Sequence, residues 1–197
     1  MQGRTGMRAL KKRVGKWLRD GDLRALPGEL DRVPPRRLVN PLFSFLCSCD
    51  AELKMRAVRA MGEVTARMAE EDMESARVIM RRLVWQLNDE SGGIGWGCPE
   101  AMGEIMARHE GLAREYASIL VSFAREDGNL LEHEPLLRGV IQAIGRVAEV
   151  YPRLVMDAEQ SLRDFADGPQ RTLKEPARQA LEILREAKGG QEGDGKA

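Results

Sequence analysis

Apolar residues recur along this chain at intervals of three and four, the spacing of one helical face, in successive blocks separated by polar or breaker residues. Met7, Leu10, Val14, Trp17 and Leu18 form the first block, which predicts an amphipathic helix over about residues 6–19 that ends near Asp20-Gly21-Asp22. A shorter helix is predicted through Leu23 to Leu30, and Pro34-Pro35 separates it from the block Leu38, Leu42, Phe45 and Leu46. Within that block Asn40-Pro41 allows two readings: an N-cap followed by proline at the first helical position, or a kink inside one longer helix.

From residue 51 the blocks follow in regular order. Ala57, Met61, Val64 and Met68 mark one helix and Ala76, Ile79, Met80, Leu83 and Leu87 the next. Two pairs follow: Ala101, Met102, Ile105 and Met106 with Leu112, Tyr116, Ile119, Leu120 and Phe123, then Leu137 to Tyr151 with Leu154, Ala158, Leu162 and Phe165. A last helix carries Leu173, Ala177, Ala180, Leu181 and Leu184. No segment alternates with a period of two, so the predicted class is all-α.

A short phrase repeats through these blocks. Arg59-Ala60-Met61-Gly62-Glu63-Val64, Glu100-Ala101-Met102-Gly103-Glu104-Ile105 and Gln142-Ala143-Ile144-Gly145-Arg146-Val147 are followed by a degenerate copy around Ala180-Leu181. The alanines at 60, 101, 143 and 180 stand 41, 42 and 37 residues apart. A period near forty carried by helix formers predicts two-helix units stacked into an α-α superhelix, a solenoid of antiparallel pairs. The recurrent small residues are expected where neighbouring helices approach closely. Residues 1–187 are expected to form one such solenoid, with 1–40 as a basic cap, 41–187 as repeats, and 188–197, rich in glycine and charge, as a disordered tail.

With Asp50 before it and Val58-Arg59 ahead of Ala60-Met61-Gly62-x-Val64, the first copy resembles the second half of a HEAT repeat. The match is to the short bacterial form shared with phycobilisome-lyase-like proteins. The copy at Ala101 lacks the Val-Arg pair, and the copy at Ala143 keeps Ala-Ile-Gly-x-Val. The resemblance spans about residues 40–187, and segments such as 87–97 look like those of small uncharacterised bacterial HEAT proteins. It implies a surface that binds other macromolecules and no chemistry of its own.

Charge changes the picture locally. The chain has 31 basic and 31 acidic side chains, which argues against a surface that grips nucleic acid throughout. Yet residues 1–40 hold eleven Lys or Arg against four Asp or Glu, and residues 88–135 hold three against ten. The basic cluster Arg8, Lys11, Lys12, Arg13, Lys16 and Arg19 lies on the polar face of the first helix, where a solvated cap or an acidic or membrane-surface partner would fit. Opposite charge at different places along the chain would also let two copies associate.

Two connections are longer than the repeat needs, 88–100 and 125–135, each just before a copy of the phrase. Equivalent positions of a solenoid lie side by side, so both are expected on one edge, with Trp96 near Leu131 or His133. The candidate partner-binding residues are Asp89, Glu90, Gly93, Trp96, Glu132, His133 and Glu134. Glycines at 92, 93, 95 and 97 permit positive φ and close backbone approach, and Trp96 among them is either an exposed anchor or a lid folded over the seam between helices. The carboxylates match no metal-ligand spacing and suit helix N-termini, so neither metal nor cofactor is expected.

Cys47-x-Cys49 places two thiols about 200° apart on a helix and predicts core packing. Cys98, before Pro99 at a helix start, is a candidate reactive thiol, and His109 is expected as a C-terminal cap. No catalytic motif is present, nor a signal peptide or an apolar run of about 18 residues. The reading is therefore a non-enzymatic cytoplasmic scaffold that binds a protein partner. Two alternatives are a DNA-acting protein resembling the HEAT-like alkylpurine glycosylases, and an accessory to cofactor or chromophore attachment using Cys98.

Overall fold

The computed structural model describes residues 2–21, 33–88 and 95–194. Helix is the only regular structure among them, and the chain divides into two compact units, Met1–Cys98 and Pro99–Ala197. The expected helix at Leu23–Leu30 and the residues Asp89, Glu90 and Gly93 lie outside the described residues.

The first unit contains α1 (Gln2–Asp20), α2 (Pro35–Leu46), α3 (Ala51–Glu71) and α4 (Met73–Leu87). Leu10, Val14 and Leu18 of α1 are buried, a gain of roughly 1.5–3 kcal/mol for each side chain, while Met7 stays exposed. Arg56 of α3 donates to the carbonyls of Leu18 and Gly21, at 3.0 and 2.8 Å, satisfying acceptors that the end of α1 leaves open. Proline decides where α2 begins and is tolerated inside it: Pro34 is the N-cap, and Pro41 lies within the helix. Asn40-Pro41 is thus part of one longer helix, not its start.

Helices α3 and α4 are joined by a single residue, Asp72, which closes the first and caps the second. Its carboxylate accepts from the Ser75 hydroxyl at 2.6 Å and from Arg36 at 2.5 Å. Those hydrogen bonds, Ser75 first and then the nearby Arg36 charge, hold the Asp72 carboxyl below its usual range. Thr65, midway along α3, is fully buried with an unpaired hydroxyl oxygen. Thr65→Val keeps the shape and removes that polar atom, so urea unfolding is expected to show a gain of about 1 kcal/mol. A loss of stability would show that the hydroxyl is bonded.

The second unit contains α5 (Cys98–Arg108, whose first residue belongs to the first unit), α6 (Glu110–Ser122), α7 (Glu134–Ala148), α8 (Glu159–Asp167) and α9 (Arg171–Asp194). The repeated phrase sets its packing. A Cβ on Gly103 of α5 would lie 2.7 Å from the Cα of Ala143 on α7, and one on Gly145 of α7 would lie 3.4 Å from the Cβ of Ala180 on α9. In this unit the glycine of one copy thus receives the alanine of the next, so α5, α7 and α9 form the stacked row of a helical-repeat solenoid.

Three details differ from the sequence reading. Two 3-10 turns, Pro152–Leu154 and Met156–Ala158, replace the first turns of the helix expected to begin at Leu154. Pro152, which lacks an N–H, opens the first of them. Helix α9 continues to Asp194, into the stretch expected to be a disordered tail. The thiols of the Cys47-x-Cys49 pair are exposed, not in the core, because α2 stops at Leu46 and both residues lie in the connection beyond it.

Candidate functional site

The first long connection ends in a tight turn. Cys98 N–H donates to the Gly95 carbonyl at 3.0 Å, and Gly97 adopts φ 75°. A side chain at Gly97 would also meet the Leu46 carbonyl at 2.8 Å, so glycine serves both the turn and its seat on the end of α2. Gly95 and Gly97 are buried while Trp96, between them, is 42% exposed. Of the two readings for Trp96, the structure shows an exposed side chain.

The turn is tied to α4. The Cys98 thiol donates to the Gln86 side-chain oxygen at 3.0 Å, next to Trp85, which at 64% is more exposed than Trp96. Trp85 was not among the candidates from sequence because it lies off the buried stripe Ala76, Ile79, Met80, Leu83 and Leu87. The available signal was Val78 and Trp85, seven residues apart on the polar side, and both are exposed. Around them α4 carries basic groups: Arg81 pairs with Glu74 at 2.6 Å, and the Arg82 guanidinium stacks 3.8 Å from the Phe43 ring centroid while bonding Asn40. This edge of the first unit combines tryptophan with arginine, residue types that dominate binding hot spots.

Cys98 itself is buried, 1% exposed, and hydrogen-bonded. That removes it as an accessible reactive thiol, because its position at the start of α5 points the sulfur inward. His109 also differs in role: its Nδ1 accepts from Leu112 N–H at 3.2 Å, so its side chain caps the start of α6. Among the described residues no group of three or more His, Cys, Asp or Glu could hold a metal ion. No helix among them is long and apolar enough to cross a membrane.

The second connection, in the other unit, is held by its own backbone. Asn129 and Leu131 donate to Ser122 and Phe123 carbonyls at 2.8 and 3.1 Å. Its charge is partly consumed locally. Arg125 forms a two-pronged pair with Asp127 at 2.9 and 2.6 Å, and those bonds hold the Asp127 carboxyl below its usual range. Glu134 accepts from Thr172 at the start of α9. Glu132 and His133 are exposed, His133 as the N-cap of α7 without a side-chain cap bond.

A buried-edge ion network lies deeper in this unit. Glu104, 10% exposed at its side chain, accepts from Arg108 at 2.6 Å and from Arg146 at 2.8 Å, and Arg146 also pairs with Glu149 at 2.5 Å. Partial burial opposes the Arg146 charge, but its bonds to Glu104 and Glu149 outweigh that and raise its pKa. Glu104 and Arg146 occupy the same place in successive phrases, just after the glycine.

No family model matches the chain. It is 27% identical over 142 residues to an uncharacterized protein of Archaeoglobus fulgidus, an alignment that covers 70% of this chain and 69% of that protein. Among solved structures it is similar to a designed armadillo repeat protein, at 21% identity over 76% of this chain and 68% of that one, with TM-score 0.47. A second is ARO, an armadillo-repeats-only protein from Plasmodium falciparum, at 15% identity over 80% and 73% of the two chains, with TM-score 0.46.

Proposed function

We propose that this protein is a non-enzymatic scaffold of HEAT-type helix pairs that binds a protein partner. The observation that carries the reading is the pair of exposed tryptophans, Trp85 and Trp96, on the segments that flank residues 89–94 in the first unit. Leaving two indoles in water forgoes several kcal/mol of burial, and a partner would recover it. Asp89, Glu90 and Gly93 belong to the same segment and complete this contact edge in the proposal. Glu132, His133 and Glu134, on the long connection of the other unit, are the remaining contact residues in the proposal and suit basic groups on a partner. The HEAT assignment rests on Asp50, Val58-Arg59 and the repeated Ala-x-Gly phrase. Three free thiols at 47, 49 and 98 suit a reducing cytoplasm.

The test is affinity capture from native cells with wild type beside a Trp85→Ala/Trp96→Ala variant, together with thermal melts of both. The variant is expected to lose the partner by 2 kcal/mol or more of binding free energy while melting almost unchanged, about the size typical of hot-spot truncations. Equal recovery of the same partner by the variant would defeat the proposal. Raising the salt is expected to weaken the complex where the acidic residues contribute, through charges screened over about 8 Å at physiological strength.

A further inference from the structure

The groove between α8 and α9 carries a charge pattern that the contact residues above do not explain. It encloses about 420 Å³ and is lined by Arg163, Ala166 and Asp167 of α8 and by Arg178, Leu181 and Arg185 of α9. Ala166 and Leu181 are buried and make an apolar floor, while the charged side chains stand exposed around it. Arg163 is already paired with Glu159 at 2.5 Å. Among the described residues Arg178 and Arg185 have no ion pair, leaving two guanidinium forks against the single Asp167 carboxylate in the groove. Glu182, exposed on α9 between the two arginines in sequence, makes no ion pair among the described residues either.

We propose that this groove docks an acidic segment of a protein partner, with one carboxylate on Arg178, a second on Arg185 and an apolar residue between them on Ala166 and Leu181. The spacing sets the motif. Residues seven apart on a helix are separated by about 10.5 Å along its axis. An extended chain advances about 3.3 Å per residue and turns successive side chains to opposite faces, so carboxylates four residues apart share one face about 13 Å apart, a span the flexible Glu and Arg side chains close. The fitting sequence is therefore an extended Glu-x-Leu-x-Glu, whose two carboxylates and central aliphatic residue all face the groove. Guanidinium favours carboxylate because two parallel N–H donors meet two oxygens.

The test uses the full chain and a fluorescein-labelled peptide, Gly-Ser-Glu-Ala-Leu-Ala-Glu-Ser-Gly, followed by anisotropy at low salt. The expected result is saturable binding that falls at least about tenfold in an Arg178→Gln/Arg185→Gln protein and is absent for a peptide with Gln in place of both Glu. An Arg13→Gln protein, changed on α1, and the Trp85→Ala/Trp96→Ala protein should bind the peptide as wild type does. Thermal melts of the arginine variant should match wild type, since both side chains are exposed. Unchanged binding in that variant, or equal binding of the Gln peptide, would overturn the proposal. So would a labelled DNA duplex that binds more tightly than the peptide and loses affinity in the same variant, since the groove would then read phosphate.

Discussion

Replacing Gly103 by alanine is expected to cost about 2–3 kcal/mol of stability, whereas the same change at Gly145 should be neutral or stabilising by up to about 1 kcal/mol. Both glycines occupy the same place in the repeated phrase, and both substitutions gain the helix preference of alanine, about 1 kcal/mol. Space decides the difference. At Gly103 the new Cβ would lie 2.7 Å from the Cα and 3.0 Å from the carbonyl oxygen of Ala143, so the backbone of α7 must move. At Gly145 the nearest atom is the Ala180 Cβ at 3.4 Å, an ordinary contact. Urea unfolding of the two single variants measures the contrast. Equal effects would mean that the helix row spreads freely, against the close packing of α5 on α7.

Glu104→Ala is the second large effect, an expected loss of about 2 kcal/mol. Removing a buried partner from an ion pair costs about 3–5 kcal/mol, but Arg108 and Arg146 are 32% and 34% exposed and will draw in water, which lowers the figure. A double-mutant cycle of Glu104→Ala with Arg146→Ala should give a coupling of about 1 kcal/mol, because the two side chains bond directly across neighbouring helices. A coupling indistinguishable from zero would show that Glu104 acts only through its own helix, by way of Arg108.

Charge counted along a sequence overstates the field that a partner meets. The acidic excess over residues 88–135 includes Glu104, Glu110 and Asp127, and each is paired within the unit, with Arg108 and Arg146, Arg114 and Arg125 respectively. Glu134 is hydrogen-bonded to Thr172. The electrostatic share of partner binding is therefore expected from fewer groups, Glu132 among them, with a shallower salt dependence than the bare count implies.

The all-helical class, most helix positions and the meeting of small residues in the repeats could be read from sequence. Each depends on a period that the backbone geometry of a helix imposes, whatever surrounds it. The turn that exposes Trp96 was half legible: its glycines marked an unusual backbone, but two orientations of the indole suited them. Burial of Cys98, exposure of Cys47 and Cys49, and the capping role of His109 depended on where helices ended, which shifts by a residue or two with tertiary contacts. Trp85 was missed because a stripe identifies what is buried and is silent about its opposite face. The pairing of Glu104 with Arg146 and the arginine groove of α8 and α9 join positions 42 and up to 22 residues apart. Repeat spacing supplies the period at which helices recur, but only packing fixes the rotation of each helix about its own axis. That rotation decides which polar side chains meet each other and which are left to face water.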